Sequence, residues 1–288
     1  MDDEETHDEL WRACLFKIPR FHASREGLES TSEFSFNYAD DEISAKLSYR
    51  GYATEKDLRK IFRYPGIMEE NVEDALIHLA YNRCYSDNGS ISVDFSLYEL
   101  RNELIAVKKT YSARELRLAL RTLFESEIHL SGRFRGQWYE KLSYRAFDHL
   151  SIRDTSTDKD TRSSVTFSKF TSARIIAGEF KRAHFQRAMK MSTLAKHIYK
   201  FLLRYRMEII NQKIVLSANA LIRSSPITIS QRNPDNTRKI RDALEDLYHH
   251  KVISEWHFAD ARANDQIEVL IINYDYLSNH QDQDSIPE

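Results

Sequence analysis

The sequence predicts an α+β protein made of two tandem winged-helix domains with short antiparallel hairpins. Two stretches, from about Met68 to Asp154 and from about Ser192 to Leu277, follow one order: a helix, a short strand, a short helix, a longer helix and a β-hairpin. The strand-to-helix step reads Ile91-Ser-Val-Asp-Phe-Ser-Leu-Tyr-Glu-Leu100 in the first copy and Ile214-Val-Leu-Ser-Ala-Asn-Ala-Leu221 in the second. The longer helix carries one apolar stripe in each copy, Leu116, Leu120 and Leu123 in one and Ile240, Leu244 and Leu247 in the other. That i, i+4, i+7 spacing places the three side chains on one side of a helix.

The elements follow in order. Residues 1–33 form an acidic segment expected to be partly disordered, apart from the apolar patch Trp11–Phe21. The first domain is expected over 34–170. Phe34–Tyr38 and Ile43–Tyr49 alternate apolar and polar residues, which is the period of half-buried strands. Thr54–Phe62 reads as a short helix. Met68–Arg83 has helical spacing through Val72, Ala75, Leu76 and Leu79, and Asn88-Gly89 marks a turn before the strand at Ile91. Ser112 with Glu115 three places on makes a capping box for a helix through Glu127. Strands are expected at Ile128–Phe134 and Trp138–His149, around a turn holding Gly132 and Gly136. Residues 154–164 are polar and without period, either a loop of the first domain or the start of a link. Ser164–Phe170 reads as a strand, and Ser172–Met191 as helical with a break at Gly178.

The second domain is expected over 171–277. Ser192–Met207 is an apolar helix burying Leu194, Ile198, Phe201, Leu202 and Tyr205. Asn233 reads as an N-cap with Pro234 at the first helical position, and the helix ends near His250. Val252–Phe258 and Gln266–Tyr274 close the domain as a hairpin. A disordered tail is expected over 278–288.

The formal net charge is −2, but it is unevenly spread. Residues 1–42 hold 12 acids and 4 bases, and residues 260–288 hold 7 acids and 1 base. Taking those 19 acids and 5 bases from totals of 44 and 42 leaves residues 43–259 with 25 acids and 37 bases, net +12. A basic body with acidic ends suits phosphate binding. No apolar run reaches the 18 residues of a membrane span, so no membrane partner is expected. The acidic start argues against a signal peptide, and Cys14 and Cys84 read as two reduced thiols of a bacterial cytoplasmic protein.

Within this frame the first long helix sets Arg114, Arg117 and Arg121 opposite its apolar stripe. Guanidiniums on a helix of this size reach phosphates and guanine edges in a major groove. Lys108, Lys109, Thr110 and Tyr111 stand at its amino end, where backbone amides favour phosphate. The hairpin turn Ser131-Gly-Arg-Phe-Arg-Gly136 is expected to be a wing whose Arg133 and Arg135 reach backbone or minor groove. In the second copy Gln231, Arg232, Asn236, Arg238 and Lys239 make a mixed face suited to reading bases, since Asn and Gln pair with adenine and Arg with guanine. Arg262 could serve its hairpin likewise, with Asp260 and Asp265 against it. Lys181–Lys190 is basic and reads equally as a phosphate contact or an amphipathic helix. No phosphate loop, His-x-His pair or zinc-spaced cluster appears, so no metal, cofactor, ATPase or nicking activity is expected.

The chain resembles the iteron-binding plasmid replication initiators of the TrfA type over about residues 12–275. The resemblance rests on Arg12-Ala-Cys-Leu-Phe16 leading into the paired strands, on Ile91–Leu100 followed by the helix at Tyr111–Leu123, and on Ile176-Ala-Gly-Glu-Phe180 continuing through Met191–Phe201 to Leu244-Glu-Asp-Leu-Tyr248. It implies a non-enzymatic protein that binds direct repeats of double-stranded DNA at an origin and promotes opening. By resemblance its partners are a host initiator, the replicative helicase and a second copy as a homodimer, at the plasmid or nucleoid. The Gln-x-x-Leu-Phe motif for the replicative clamp is missing from the sequence, which puts that partner in doubt. A winged-helix transcriptional repressor and autoregulator is the alternative, and a protein-interaction scaffold a third class.

Overall fold

The computed structural model describes residues 20–22, 26–27, 31–38, 41–48, 51–53, 60–83, 85–87, 89–134, 137–153, 162–176, 182–205, 213–258 and 266–270. Cys14, Cys84, Arg135, Arg262 and the tail after residue 270 lie outside them. The chain divides into two units, Met1–Gln186 and Arg187–Glu288.

Unit 1 opens with strands β1 (Glu26–Gly27), β2 (Thr31–Tyr38), β3 (Asp41–Ser48), β4 (Gly51–Ala53) and β5 (Lys60–Arg63). The first two begin inside the segment expected to be partly disordered. β5 replaces the end of the helix expected over Thr54–Phe62, because its backbone is taken up by β1 and β4 in a three-stranded sheet. Helix α1 (Ile67–Arg83) follows, then β6 (Tyr85–Asp87), β7 (Ser90–Phe95), α2 (Leu97–Ala106) and α3 (Ala113–Glu125). After α3 come β8 (Glu127–Phe134), β9 (Gln137–Tyr144), β10 (Phe147–Ser151) and β11 (Ser163–Phe167).

Strand pairing corrects the expected wing. β8 and β9 join β2 and β3 in one sheet of order β2-β3-β8-β9. The strand expected over Trp138–His149 breaks at Arg145 and Ala146, where the chain passes from that sheet to a second of order β10-β11-β7-β6. There Val165 lies opposite Val93 and Leu150 opposite Val165. The strand after the first helix of a winged helix pairs with the closing hairpin, and β7 pairs with β11. The wing hairpin is therefore β10–β11, and β8–β9 is an insertion between the third helix and the wing. The polar residues 154–164 belong to unit 1, partly in the β10–β11 connection and partly in β11 itself.

Unit 1's core lies between the second sheet and helices α1 and α3. Phe95, Phe147 and Phe167 are wholly buried, the last two edge to face at 5.7 Å. Helix α1 is enclosed on nearly every side, so Glu69, Glu70, Glu73 and Asp74 are buried as well as its apolar residues. A buried carboxylate needs a partner. Arg20 supplies one, donating from Nη2 to both oxygens of Glu73 at 3.0 Å, with its guanidinium over the rings of Phe21 and Tyr144 at 4.9 and 5.1 Å. Burial alone would lower the pKa of Arg20, but Glu73 and Tyr144 raise it above its ordinary value. Glu69 accepts the Gly66 N–H at 2.8 Å and lies 3.6 Å from Arg63.

Helices α4 (Lys169–Ile176) and α5 (Arg182–Ala188) stand where one broken helix is expected. Helix α4 takes the residues of the expected strand's end and belongs to unit 1. Its Ser172 Oγ accepts the Ile91 N–H at 2.8 Å, and Thr171 Oγ1 lies 3.1 Å from the Tyr144 hydroxyl. Phe185 of α5 stacks on His78 at 4.8 Å. These contacts move the division from the expected 170/171 to after Gln186.

Unit 2 contains α6 (Thr193–Tyr205), β12 (Lys213–Ser217), α7 (Ala218–Ser224), α8 (Asn233–His249), β13 (Glu255–Phe258) and β14 (Gln266–Leu270). Its sheet has the order β12-β14-β13. Ile198, Tyr199 and Leu202 of α6 pack with Ile240, Leu244 and Leu247 of α8, Leu216 and Ile267. Among the described residues this is the expected order of a winged helix.

Candidate nucleic-acid interface

Helix α3 starts as its sequence predicts. Ser112 Oγ accepts the Glu115 N–H at 3.2 Å, and Glu115 accepts the Ser112 N–H at 2.8 Å. Leu116, Ala119, Leu120 and Leu123 are buried. At 100° per residue, Arg114 and Arg121 point about 155° and 135° from the centre of that stripe, and Arg117 only about 95°. The structure follows this angle. Arg114 and Arg121 are exposed, whereas Arg117 lies on the flank, half-buried. The expected row of three outward arginines is a pair with a third at its shoulder.

The approach to α3 is held in an unusual backbone. Lys108 has φ +61°. Its N–H bonds the Ile105 carbonyl at 2.9 Å, and the Lys109 N–H bonds that of Leu104 at 2.8 Å. This is the Schellman ending of α2, with lysine where glycine is usual. Unit 2 repeats it after α8: Lys251 has φ +57°, and the Val252 N–H bonds the Leu247 carbonyl at 2.9 Å. Lys108 is exposed and Lys109 half-buried. Tyr111 departs from the expected outward role, since its hydroxyl accepts from Asn71 Nδ2 at 2.9 Å and ties the entry of α3 to α1.

A non-glycine residue in the left-handed region costs about 1–2 kcal/mol, and glycine's extra backbone freedom offsets about half of that. Lys108→Gly is therefore expected to raise stability by about 0.5–1 kcal/mol in urea unfolding while lowering affinity for duplex DNA. Unchanged affinity in a filter-binding titration would remove Lys108 from the interface.

The wing is anchored where it rejoins the sheet. Arg162, next to β11, donates to Glu99 at 2.8 Å, and Arg83 donates to the same carboxylate at 2.6 Å. Burial pushes the Glu99 pKa up, but the Ser96 N–H, Arg83 and Arg162 bring it below its ordinary value. Arg133 belongs instead to the inserted hairpin, where it is exposed and faces Trp138 across the strands. Trp138 is 67% exposed.

In unit 2 helix α8 begins at Asn233, and its cap is Arg232 rather than Asn233, with no side-chain cap bond. Ser230 organises this turn. Its Oγ accepts the Arg232 N–H at 3.1 Å and donates to Asp235 at 3.1 Å. Its N–H and carbonyl bond both ends of the Asn236 amide, each at 2.9 Å. Asn236 is thus 8% exposed and shapes the loop, against the expectation that its amide faces outward. Lys239 likewise turns inward, its Nζ donating to the Thr228 carbonyl at 2.7 Å. Gln231, Arg232 and Arg238 remain exposed, the Arg238 side chain at 71% and only 3.9 Å from Asp235. Arg241, exposed one turn on from Arg238, was not among the expected residues. Its i, i+3 spacing from Arg238 was the available signal.

Among the described residues no group of three His, Cys, Asp or Glu side chains could hold a metal ion, and no helix is long and apolar enough to cross a membrane. No family model and no curated protein matches the chain. Solved structures do. The chain shares its fold with RctB domains 2 and 3. A selenomethionine structure of those RctB domains has TM-score 0.55 and 12% identity, covering 92% of this chain and 97% of that one. A second RctB structure, of the same two domains, has TM-score 0.55 and 12% identity over 90% and 96%. At that identity the RctB likeness concerns the path of the backbone, including the tandem order of the two units.

Proposed function

We propose that this protein is a replication initiator that binds double-stranded DNA at repeated origin sites. The observation that carries the reading is the repeated third helix. Both α3 and α8 bury an apolar stripe against their own unit and turn arginines outward, Arg114 and Arg121 in one and Arg238 and Arg241 in the other. A helix so mounted fits a major groove, and two such readers in one chain suit a site of about two helical turns. The fold likeness to the replication initiator RctB supports replication as the setting.

The two helices have different tasks in this reading. Arg114 and Arg121 turn outward, with Glu125 one turn beyond Arg121 at the end of the helix, and hold phosphate. Arg238 stands beside Gln231 and Arg232 and reads a base. The protein does no covalent chemistry of its own. Opening of the neighbouring duplex draws on binding energy from several protomers, since bending a 20–30 base-pair site costs on the order of 1–6 kcal/mol.

Footprinting on supercoiled plasmids with one or several direct repeats tests this. The expected result is protection of each repeat, and strand opening without ATP only when several repeats are present. In parallel, Arg238→Ala should lose about 1–3 kcal/mol on the cognate duplex and much less on a scrambled one at the same salt. Protection of repeats without opening would point to a repressor. Equal losses on both duplexes would make Arg238 a phosphate clamp.

A further inference from the structure

The acidic amino-terminal segment has a fixed starting point. Arg20 is half-buried against Glu73 and Tyr144, and together with Phe21 it lines a crevice shared with Leu123 and Ser126, at the carboxyl end of α3. Arg20, the first described residue, therefore stands beside the very helix that carries Arg114 and Arg121. Asp2, Asp3, Glu4, Glu5, Asp8 and Glu9 put six acids and no lysine or arginine into eight residues.

Reach allows the two to meet. From Leu123 back to Arg114 is nine helical steps, about 14 Å. From Arg20 back to Glu9 is eleven chain steps, which span up to about 36 Å. Charge is complementary on balance: α3 and its approach offer Arg114, Arg121 and Lys108 to solvent, against Glu115 at the helix start and Glu125 at its end. A tether of this length holds the acids near that face at an effective concentration on the order of millimolar.

We propose that the segment Asp2–Glu9 docks on the outward face of its own α3 and competes with DNA phosphate there. The inference rests on the reading of α3 as a DNA-binding helix. The segment is an internal phosphate mimic: it weakens binding to arbitrary duplex, where phosphate contact is all that is available. It yields at a cognate site, where base contacts from α8 add to the total. The acidic segment thereby raises discrimination without touching a base.

The test uses the full chain and a neutralised variant of equal length carrying D2N, D3N, E4Q, E5Q, D8N and E9Q. Dissociation constants are measured on a scrambled and a repeat-bearing duplex, at low and at high salt. The expected result is an affinity gain of about tenfold for the variant on scrambled duplex at low salt, as follows from an effective concentration of about 1 mM and a docked contact with a Kd of about 0.1 mM. The gain should be smaller on the repeat duplex and should shrink at high salt. Equal affinities for the two proteins on scrambled duplex would overturn the inhibition and leave the DNA-binding reading intact. Failure of both proteins to bind any duplex would overturn both. A second measurement separates docking from general repulsion. A nitroxide on Thr6→Cys, with Cys14 and Cys84 changed to Ser, should broaden the amide resonances of the amino-terminal half of α3. Added duplex should restore them. Unbroadened resonances in the free protein would refute docking on α3.

Discussion

Replacing Arg20 with methionine is expected to lower the stability of unit 1 by about 3–5 kcal/mol, because the change leaves Glu73 buried without its cation. Glu73 is 4% exposed and sits among Glu69, Glu70 and Asp74 on a helix enclosed by the fold. Methionine keeps an unbranched apolar side chain of similar length but removes both hydrogen bonds to the carboxylate and the guanidinium's contact with the Phe21 and Tyr144 rings. At this chain length a loss of that size lowers the melting temperature by roughly 6–20 °C. Thermal and urea unfolding of the variant measure it. Adding Glu73→Leu should recover most of the loss, since an apolar pair of similar volume avoids the desolvation of two charges. A single-variant cost below about 1 kcal/mol would mean that water reaches Glu73 and that the pair is not a closed one. The same variant bears on the tether of the amino-terminal segment, because Arg20 is what fixes its point of departure.

Binding to DNA should depend steeply on salt. The stretch 43–259 carries net +12, and its exposed cations include Arg114 and Arg121 on α3 and Arg238 on α8. If about six phosphates are neutralised, counterion release makes affinity fall by roughly 10³ or more between 50 and 200 mM salt. Fluorescence anisotropy with a labelled duplex across that range gives the slope directly. Arg114→Ala with Arg121→Ala should reduce the slope by about one to two phosphates and lower affinity on every sequence alike. An isotherm that hardly moves with salt would refute the electrostatic account of the interface, whatever the affinity.

Local rules made much of this protein legible before its fold was seen. The capping box of Ser112 and Glu115, the stripe Leu116–Leu120–Leu123 and its counterpart Ile240–Leu244–Leu247 are set by neighbours within seven residues. The helix period alone places them, and α3 and α8 stand where those residues put them. The outward position of Arg114, Arg121 and Arg238 follows from the same period, as does the half-burial of Arg117 once its angle to the stripe is worked out.

What only the tertiary structure decided is which partners those elements take. An alternating strand looks the same whichever strand it pairs with, so nothing in residues 127–151 marks the point where the chain changes sheets. The pairing of β11 with β7, across about seventy residues, makes β10–β11 the wing and β8–β9 an insertion. Arg133 changed its setting for that reason alone. Asn236 and Lys239 lie on a helix face that looks open to solvent until the loop holding Thr228 and Ser230 folds over it. Nothing in the helix period marks Glu73 for burial, and only enclosure with Arg20, 53 residues away, makes it half of an ion pair inside the unit. Period and capping act through the chain's own turns. Pairing register, burial of charge and the closing of loops act between segments distant in sequence, and their energies exist only once the whole unit is assembled.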